Sequence, residues 1–287
     1  MKNIKKFLLT MAMTMALGTS AFAASGFEFL LQVPFGMNVG IPKSTKGLRI
    51  VNEGNPPIGA DVGIEAQIGY MFQVKESFAI SALAELGYSW DLYGFDNNQD
   101  YNNMPVNFMG IDLRADIRYD IKCRMSFNSF KIGLIPKFNI GLGDNGTIAI
   151  GIGGGVKIPG SGKVKITTTG KASAELPILG RQEIGFNDER SIDIKRKDIT
   201  DTFTPSVIGY LRVTLDYYLF FTDNIAMNFG LYVGGAFGPT VKNLGIVSRI
   251  AGIPELENFT PQIEASKLGA NAFEIGLQLG FRYGPKA

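Results

Sequence analysis

The sequence predicts an all-β protein: a closed antiparallel transmembrane β-barrel of about ten strands, with eight as the alternative, behind a signal peptide. Three observations predict it. Apolar and polar residues alternate with a period of two along most of the chain, the register of a β-strand with two unlike faces. The polar register is crowded with glycine. The N-terminus has the layout of a secretion signal.

Met1 to Lys6 hold three lysines and no acid, Phe7 to Gly18 are mostly apolar, and Ala21-Phe22-Ala23 has the small-x-small form of a signal-peptidase site. Residues 1–23 are therefore a signal peptide, cut between Ala23 and Ala24, with an apolar run too short to span a bilayer. Removing them takes three of the 28 Lys+Arg and none of the 26 Asp+Glu, leaving 25 − 26 = −1. The basic character thus belongs to the discarded segment, and nothing in residues 24–287 forms the sustained basic patch that nucleic acid requires. Cys123 has no partner cysteine, and the chain has no histidine. This removes Ser–His and Cys–His pairs and the usual zinc sites, so the expectation is no enzyme, no cofactor and no metal.

The strands follow in order. Phe27–Ile41, Val62–Val74 and Ile80–Leu92 alternate, and so does Met109–Lys122, where Asp112, Arg114, Asp116 and Arg118 occupy one register and Ile111, Leu113 and Ile117 the other. Phe130–Leu142, Ile148–Ile158, Val207–Phe221, Ile225–Phe237 and Phe273–Tyr283 repeat the pattern. A weaker strand, Lys163–Thr169, completes an even count. Short connections are read at Lys75-Glu76, Cys123–Asn128, Pro159–Gly162 and Thr222–Asn224, and long polar loops at 42–60, 94–105, 171–202 and 239–270. Gly143–Gly146 is an exception, a tight turn on the long-loop side. Eight strands result if the 141–158 hairpin does not form two full strands.

Alternation alone suits a soluble sandwich or a membrane barrel. Four features choose the barrel. Its strands are long enough for a membrane crossing of roughly 9–11 residues, beyond the usual strand of about 5–6. Glycines such as Gly36, Gly133, Gly151, Gly153, Gly155 and Gly276 suit a confined interior and would only weaken a solvated face. Aromatic residues gather at strand ends, as in interfacial girdles. The last strand ends close to the C-terminus and can close on the first. Pro34 and Pro136 lie inside paired strands and predict bulges.

The signal peptide, the alternating strands, the short turns opposed to long loops and the aromatic terminal strand Ala272–Tyr283 resemble the small outer-membrane β-barrels of the OmpA/OmpX/OmpW class. "FNSFKIGLIPKFNIG" and "YYLFFTDNIAMNFGLYVGG" further resemble hypothetical outer-membrane barrels of spirochaetes. The chain departs from that class in ending on Gly284-Pro285-Lys286-Ala287 after its aromatic strand. The resemblance implies insertion by barrel-assembly machinery, and the expectation is a monomer surrounded by lipid in the outer membrane of a diderm bacterium.

In a barrel, the polar register becomes an interior charge ladder: Glu65, Glu85, Asp112, Asp116, Asp216 and Glu274 against Arg114, Arg118, Lys131, Lys137, Arg212 and Arg282. Near-balanced charge in a narrow lumen favours ion pairs across the interior. The ladder either braces the barrel or selects small polar solutes or ions. The alternatives are a surface adhesin or interaction protein, acting on host or environmental ligands through its long loops, and a secreted soluble β-sandwich binding protein. "GIGGGVK" at 151–157 lies on a strand with no helix following, so it is a small-residue wall and not a phosphate loop. "DNNQDYNN" at 96–103 lacks the turn glycine and closing glutamate of a calcium loop. Leu244, Val247, Ile250 and Ala251 have near-helical spacing that suits either a short amphipathic helix at the mouth or a lipid-touching or packed loop.

N-terminal sequencing of the mature protein is expected to begin at Ala24, and a mature chain that keeps Met1 overturns the signal-peptide assignment.

Overall fold

The structure is a computed structural model that describes residues 25–41, 58–108, 111–143, 145–176, 180–241 and 269–287. The expected signal peptide, most of the expected 42–60 loop and the expected helix around Leu244–Ala251 lie outside the described residues. The strands are β1 (Gly26–Ile41), β2 (Ile58–Lys75), β3 (Phe78–Phe108), β4 (Ile111–Leu134), β5 (Lys137–Gly141), β6 (Gly146–Leu176) and β7 (Gly180–Lys195). A short helix, α1 (Arg196–Thr202), leads to β8 (Phe203–Thr204), β9 (Ile208–Phe220), β10 (Ile225–Val241) and β11 (Gly269–Tyr283).

The sheet closes on itself. Going round, β1 pairs with β2, β2 with β3, β3 with β4, β4 with β6, β6 with β9, β9 with β10, β10 with β11, and β11 returns to β1, all antiparallel. Among the described residues this is a ring of eight strands, with β5 continuing β4 between β3 and β6. Closure pairs the backbone groups that an open edge would leave bare, which is what lets a sheet cross a bilayer.

The count falls from ten to eight because two expected turns are strand. Cys123–Asn128 lies within β4, which runs unbroken for 24 residues, and Pro159–Gly162 lies within the 31 residues of β6. With those turns gone, the 143–146 turn is no longer an exception. It joins the tight connections after Lys75 and Phe220 at the end where β1 begins and β11 stops. Two of the expected loops are also structured: 94–105 belongs to β3, and 171–202 forms the end of β6, β7 and α1. The prolines interrupt pairing without shifting it. β3 keeps one register across Pro136, from Ala84 opposite Leu134 to Ser81 opposite Lys137. Beside Pro34, β1 and β2 keep theirs, from Gln32 opposite Glu65 to Phe35 opposite Val62.

Burial is inverted relative to a soluble protein. Leu31, Val33, Phe35, Ile64, Ile132, Leu134, Val213, Leu231, Leu277 and Leu279 are exposed on the outside, while Glu28, Glu65, Lys131, Lys137, Asp216 and Arg282 are buried inside. Phe27, Phe72, Phe221, Phe281 and Tyr283 ring the turn end, and Tyr88, Trp90 and Phe237 stand toward the other. Glycine makes the interior possible at two places. A Cβ on Gly36 would lie 2.3 Å from the Tyr232 hydroxyl, and one on Gly133 would lie 2.1 Å from that of Tyr210.

β3, β4 and β6 run on past the ring, and β7 adds beside β6 there, giving a four-stranded extension in the order β3–β4–β6–β7. β6 changes neighbour at Gly160, the extra residue where its pairing with β4 shifts. Before it β6 lies against β9, and after it against β7. The extension thus stands at the end of the ring opposite the tight turns.

Arginine in place of Leu277, on the lipid side mid-way along β11, is expected to cost about 2–4 kcal/mol, whereas lysine in place of Thr167, on the water-facing outer side of the extension, changes stability by less than about 0.5 kcal/mol. Urea unfolding in lipid vesicles measures both.

A candidate functional site: the locked interior and the sheet above it

Strand alternation aims one residue in two of each barrel strand at the axis, and these side chains fill it in layers. At the turn end, Arg282 donates to Glu28 at 2.6 Å and to the Pro285 carbonyl at 2.9 Å, and lies 4.8 Å from the Tyr218 ring centre. The Ser81 hydroxyl donates to the other oxygen of Glu28. Just above is an apolar layer of Leu30, Leu83, Ile135, Ala149, Tyr218, Phe220 and Ala226.

The middle is ionic. Lys137 donates to Asp216 at 2.9 Å and to the Tyr218 hydroxyl at 3.1 Å. Asp216 also accepts from Thr214 and Gln278. Glu65 lies between two cations. Lys131 donates to one of its oxygens, and Arg212 Nη1 stands 3.1 Å from both. Lys131 also pairs with Glu85 at 2.8 Å, and Glu85 accepts from Tyr210 at 2.7 Å and Gln67 at 3.0 Å. Arg212 lies 4.4 Å from the Tyr232 ring centre, a cation over a π face. Higher up, Lys157 bridges Asp91 at 2.7 Å and Glu274 at 2.9 Å, and the Tyr232 hydroxyl donates to Asp61.

Above the ions the barrel is closed by apolar packing. α1 turns inward at the foot of β7, and its Ile199 is fully buried among Phe127, Tyr93, Met125, Val164, Ile194, Phe203, Ile208, Ala236 and Ala272. Arg196 fastens the helix by donating to the carbonyls of Pro159 at 2.9 Å and Ser206 at 2.8 Å. Phe127 and Phe203 meet edge-on at 6.1 Å. The part of this packing that sequence reading missed is α1. Ile199 and Phe203, four residues apart inside a charged stretch, were its one signal.

Of the residues expected in the charge ladder, Glu65, Glu85, Lys131, Lys137, Arg212, Asp216, Glu274 and Arg282 are gathered inside. Arg114, Asp116 and Arg118 are not. They lie in the extension, with Arg118 bonded to Asp100 at 2.7 Å and Asp116 to Arg181 at 3.2 Å on an exposed face. The side chain of Asp112 is outside the described residues. The expectation inverted this stretch. In β4 the register of Lys131 and Ser129 continues into Phe127, Met125 and Ala115, all buried, so the apolar register faces inward there. The charged register continues the lipid-facing one of Leu134, Ile132 and Phe130, but meets water. Lys165–Glu189 and Lys171–Glu183, at 2.8 and 2.7 Å, extend that charged face across β6 and β7. The hydrogen bond from Lys171 holds the Glu183 carboxyl below the usual carboxylate range.

A closed antiparallel ring with lipid-compatible residues outside and ion pairs inside defines an outer-membrane-type transmembrane β-barrel. No protein-family model matches the chain, and no curated protein matches it. Among solved structures it is similar to Neisserial surface protein A, at 8% identity over 91% of this chain and 98% of that one, with a TM-score of 0.32. It is also similar to Ail, the attachment invasion locus protein of Yersinia pestis, at 9% identity over 89% and 98% with a TM-score of 0.25. The translocator domain of the autotransporter NalP from Neisseria meningitidis follows at 8% identity over 97% and 95%, again with a TM-score of 0.25.

Glutamine in place of Glu65 leaves Lys131 and Arg212 buried without their shared carboxylate, and is expected to cost about 3–5 kcal/mol in vesicle unfolding. Serine in place of Asp100, on the exposed face, is expected to cost under about 1 kcal/mol.

Proposed function

We propose that the barrel is a structural anchor in the outer membrane of a diderm bacterium, and that its work is done by the extracellular sheet it carries. The observation that carries this reading is the filled interior. An apolar layer lies at the turn end, paired ions occupy the middle, and the packing around Ile199 and Phe127 closes the top. A conducting lumen needs binding weak enough for a solute to leave, and cations clamped by two carboxylates apiece, as Lys131 and Lys157 are, give the opposite. The eight-stranded ring supports the same reading, since an interior of that size is about filled by side chains.

The extension supplies what the interior does not: an exposed, two-faced surface. Its outer face is charged, and its inner face carries the exposed Ile184, Phe186 and Ile192. In this reading the chain sits singly within its own membrane, lipid covers the barrel wall, barrel-assembly machinery inserts it, and it catalyses no reaction.

Two measurements test the reading. The full chain refolded into a planar bilayer is expected to be silent, and discrete open steps would restore the channel reading. With Cys123→Ser as background, Lys163→Cys on intact cells is expected to react with a membrane-impermeant maleimide, whereas protection until lysis would place the extension in the periplasm.

A further inference from the structure

The edge of the extension is β7. It runs for 16 residues, contains no proline, pairs with β6 along its whole length, and among the described residues has no strand on its other side. Strand edges pair with other strands unless they are blunted, and the charges along β7 bar any partner that does not oppose them with unlike charge. Building on the reading of the sheet as the working surface, we propose that the partner of β7 is the β7 strand of a second copy of this chain, joined antiparallel across a two-fold axis at Glu189.

The register follows from the side chains. A two-fold axis perpendicular to the joined sheet keeps like faces together, so only registers centred on a residue are allowed. Centred on Glu189, each pair occurs twice. On the inner face, Phe186 meets Ile192, and Asp188, held at 2.7 Å by Arg190 of its own chain, meets Arg190 of the other copy as well. On the outer face Glu183 meets Lys195. The one like-charge contact is Glu189 with itself, and each Glu189 already has Lys165 at 2.8 Å. Neighbouring registers lose this complementarity. Centring on Asp188 opposes Arg181 to Lys195 and Glu183 to Asp193, while centring on Arg190 opposes Asp188 to Ile192 and Arg190 to itself. Like charges directly opposite are destabilising, and opposite charges or apolar pairs add stability.

The geometry has a consequence for where the two copies sit. β6 leads away from the barrel and β7 returns toward it, so in an antiparallel β7 pair each strand points to its own barrel and the barrels lie at opposite ends of the joined sheet. The overlap from Glu183 to Lys195 covers roughly 40 Å at about 3.4 Å per residue. Such a pair links two facing membranes, not neighbours in one membrane.

The test uses the full chain in two populations of lipid vesicles carrying different dyes. Wild-type vesicles are expected to tether. Asp188→Arg and Arg190→Asp, each alone, place like charges opposite and are expected to abolish tethering. A mixture of the two variants restores both opposite-charge pairs and is expected to tether again. With Cys123→Ser as background, Glu189→Cys is expected to form a disulfide between copies, since its partner residue lies on the axis, while Glu183→Cys does not. Wild-type vesicles that stay dispersed, or variants that the mixture does not rescue, overturn the pairing. The bilayer recording separates this from the anchor reading: a silent barrel with untethered vesicles keeps the anchor and loses the pairing, whereas open steps with rescued tethering do the reverse.

Discussion

Glu65 is the point on which the interior turns. It holds Lys131 and Arg212 at once, Lys131 reaches on to Glu85, and Arg212 leans on the rings of Tyr232 and Tyr210. These residues come from β2, β3, β4, β9 and β10, so one cluster of charges ties together most of the circumference. A charge enclosed in protein must be paired, because the cost of stripping its water is large and only close counter-charges and hydrogen bonds offset it. The strands can present lipid-compatible surface outside only if their inner faces solve that problem. The small residues opposite the bulky ones follow from it. Gly133 lies beneath the Tyr210 hydroxyl, and Gly36 and Gly276 lie beneath that of Tyr232, giving each ring room to reach its carboxylate.

The outward face of β4 shows how a strand passes from lipid to water. Leu134, Ile132 and Phe130 face the bilayer, Asn128, Ser126 and Arg124 follow, and then Lys122, Asp120 and Arg118. The inward register changes in the opposite sense, from Lys131 and Ser129 to Phe127 and Met125. Both changes fall at the same height, where the enclosing ring gives way to a free sheet. A free sheet in water needs an ordinary apolar side, and here that side begins as the lid over the barrel. α1 meets it there and buries Ile199.

This reversal decides how much of the molecule could be read from its sequence. The alternation and the inward position of Glu65, Lys131, Arg212 and Asp216 follow from period-two patterning, which is local and needs no partner. The strand count does not. At Cys123–Asn128 the apolar residues move from odd to even positions, which in a sequence looks like a turn between two strands. In the structure it is one strand changing surroundings. At Pro159–Gly162 the same appearance has a different cause, an extra residue at Gly160 that shifts which side chains of β6 point inward. Arg114 and Arg118 were misplaced for the first reason: a charged register has the same spacing whether it lines a lumen or faces water.

The locked interior and the protruding sheet make mechanical sense together. A sheet standing clear of the membrane acts on a partner only if force and position at its edge are carried to a fixed base. β3, β4 and β6 run without a break from the extension into the ring, and β6 alone connects the β7 edge to Lys157, whose ammonium joins β3 to β11 across the interior. Side-chain packing at the top fastens the same strands again, with Val164 of β6 and Ile194 of β7 meeting Phe127 of β4. An open, hydrated lumen would have to give up these cross-ties, because the residues that would line it are the ones that make them. Permeability and stiffness therefore compete for the same side chains, and in the anchor reading proposed above those side chains serve stiffness.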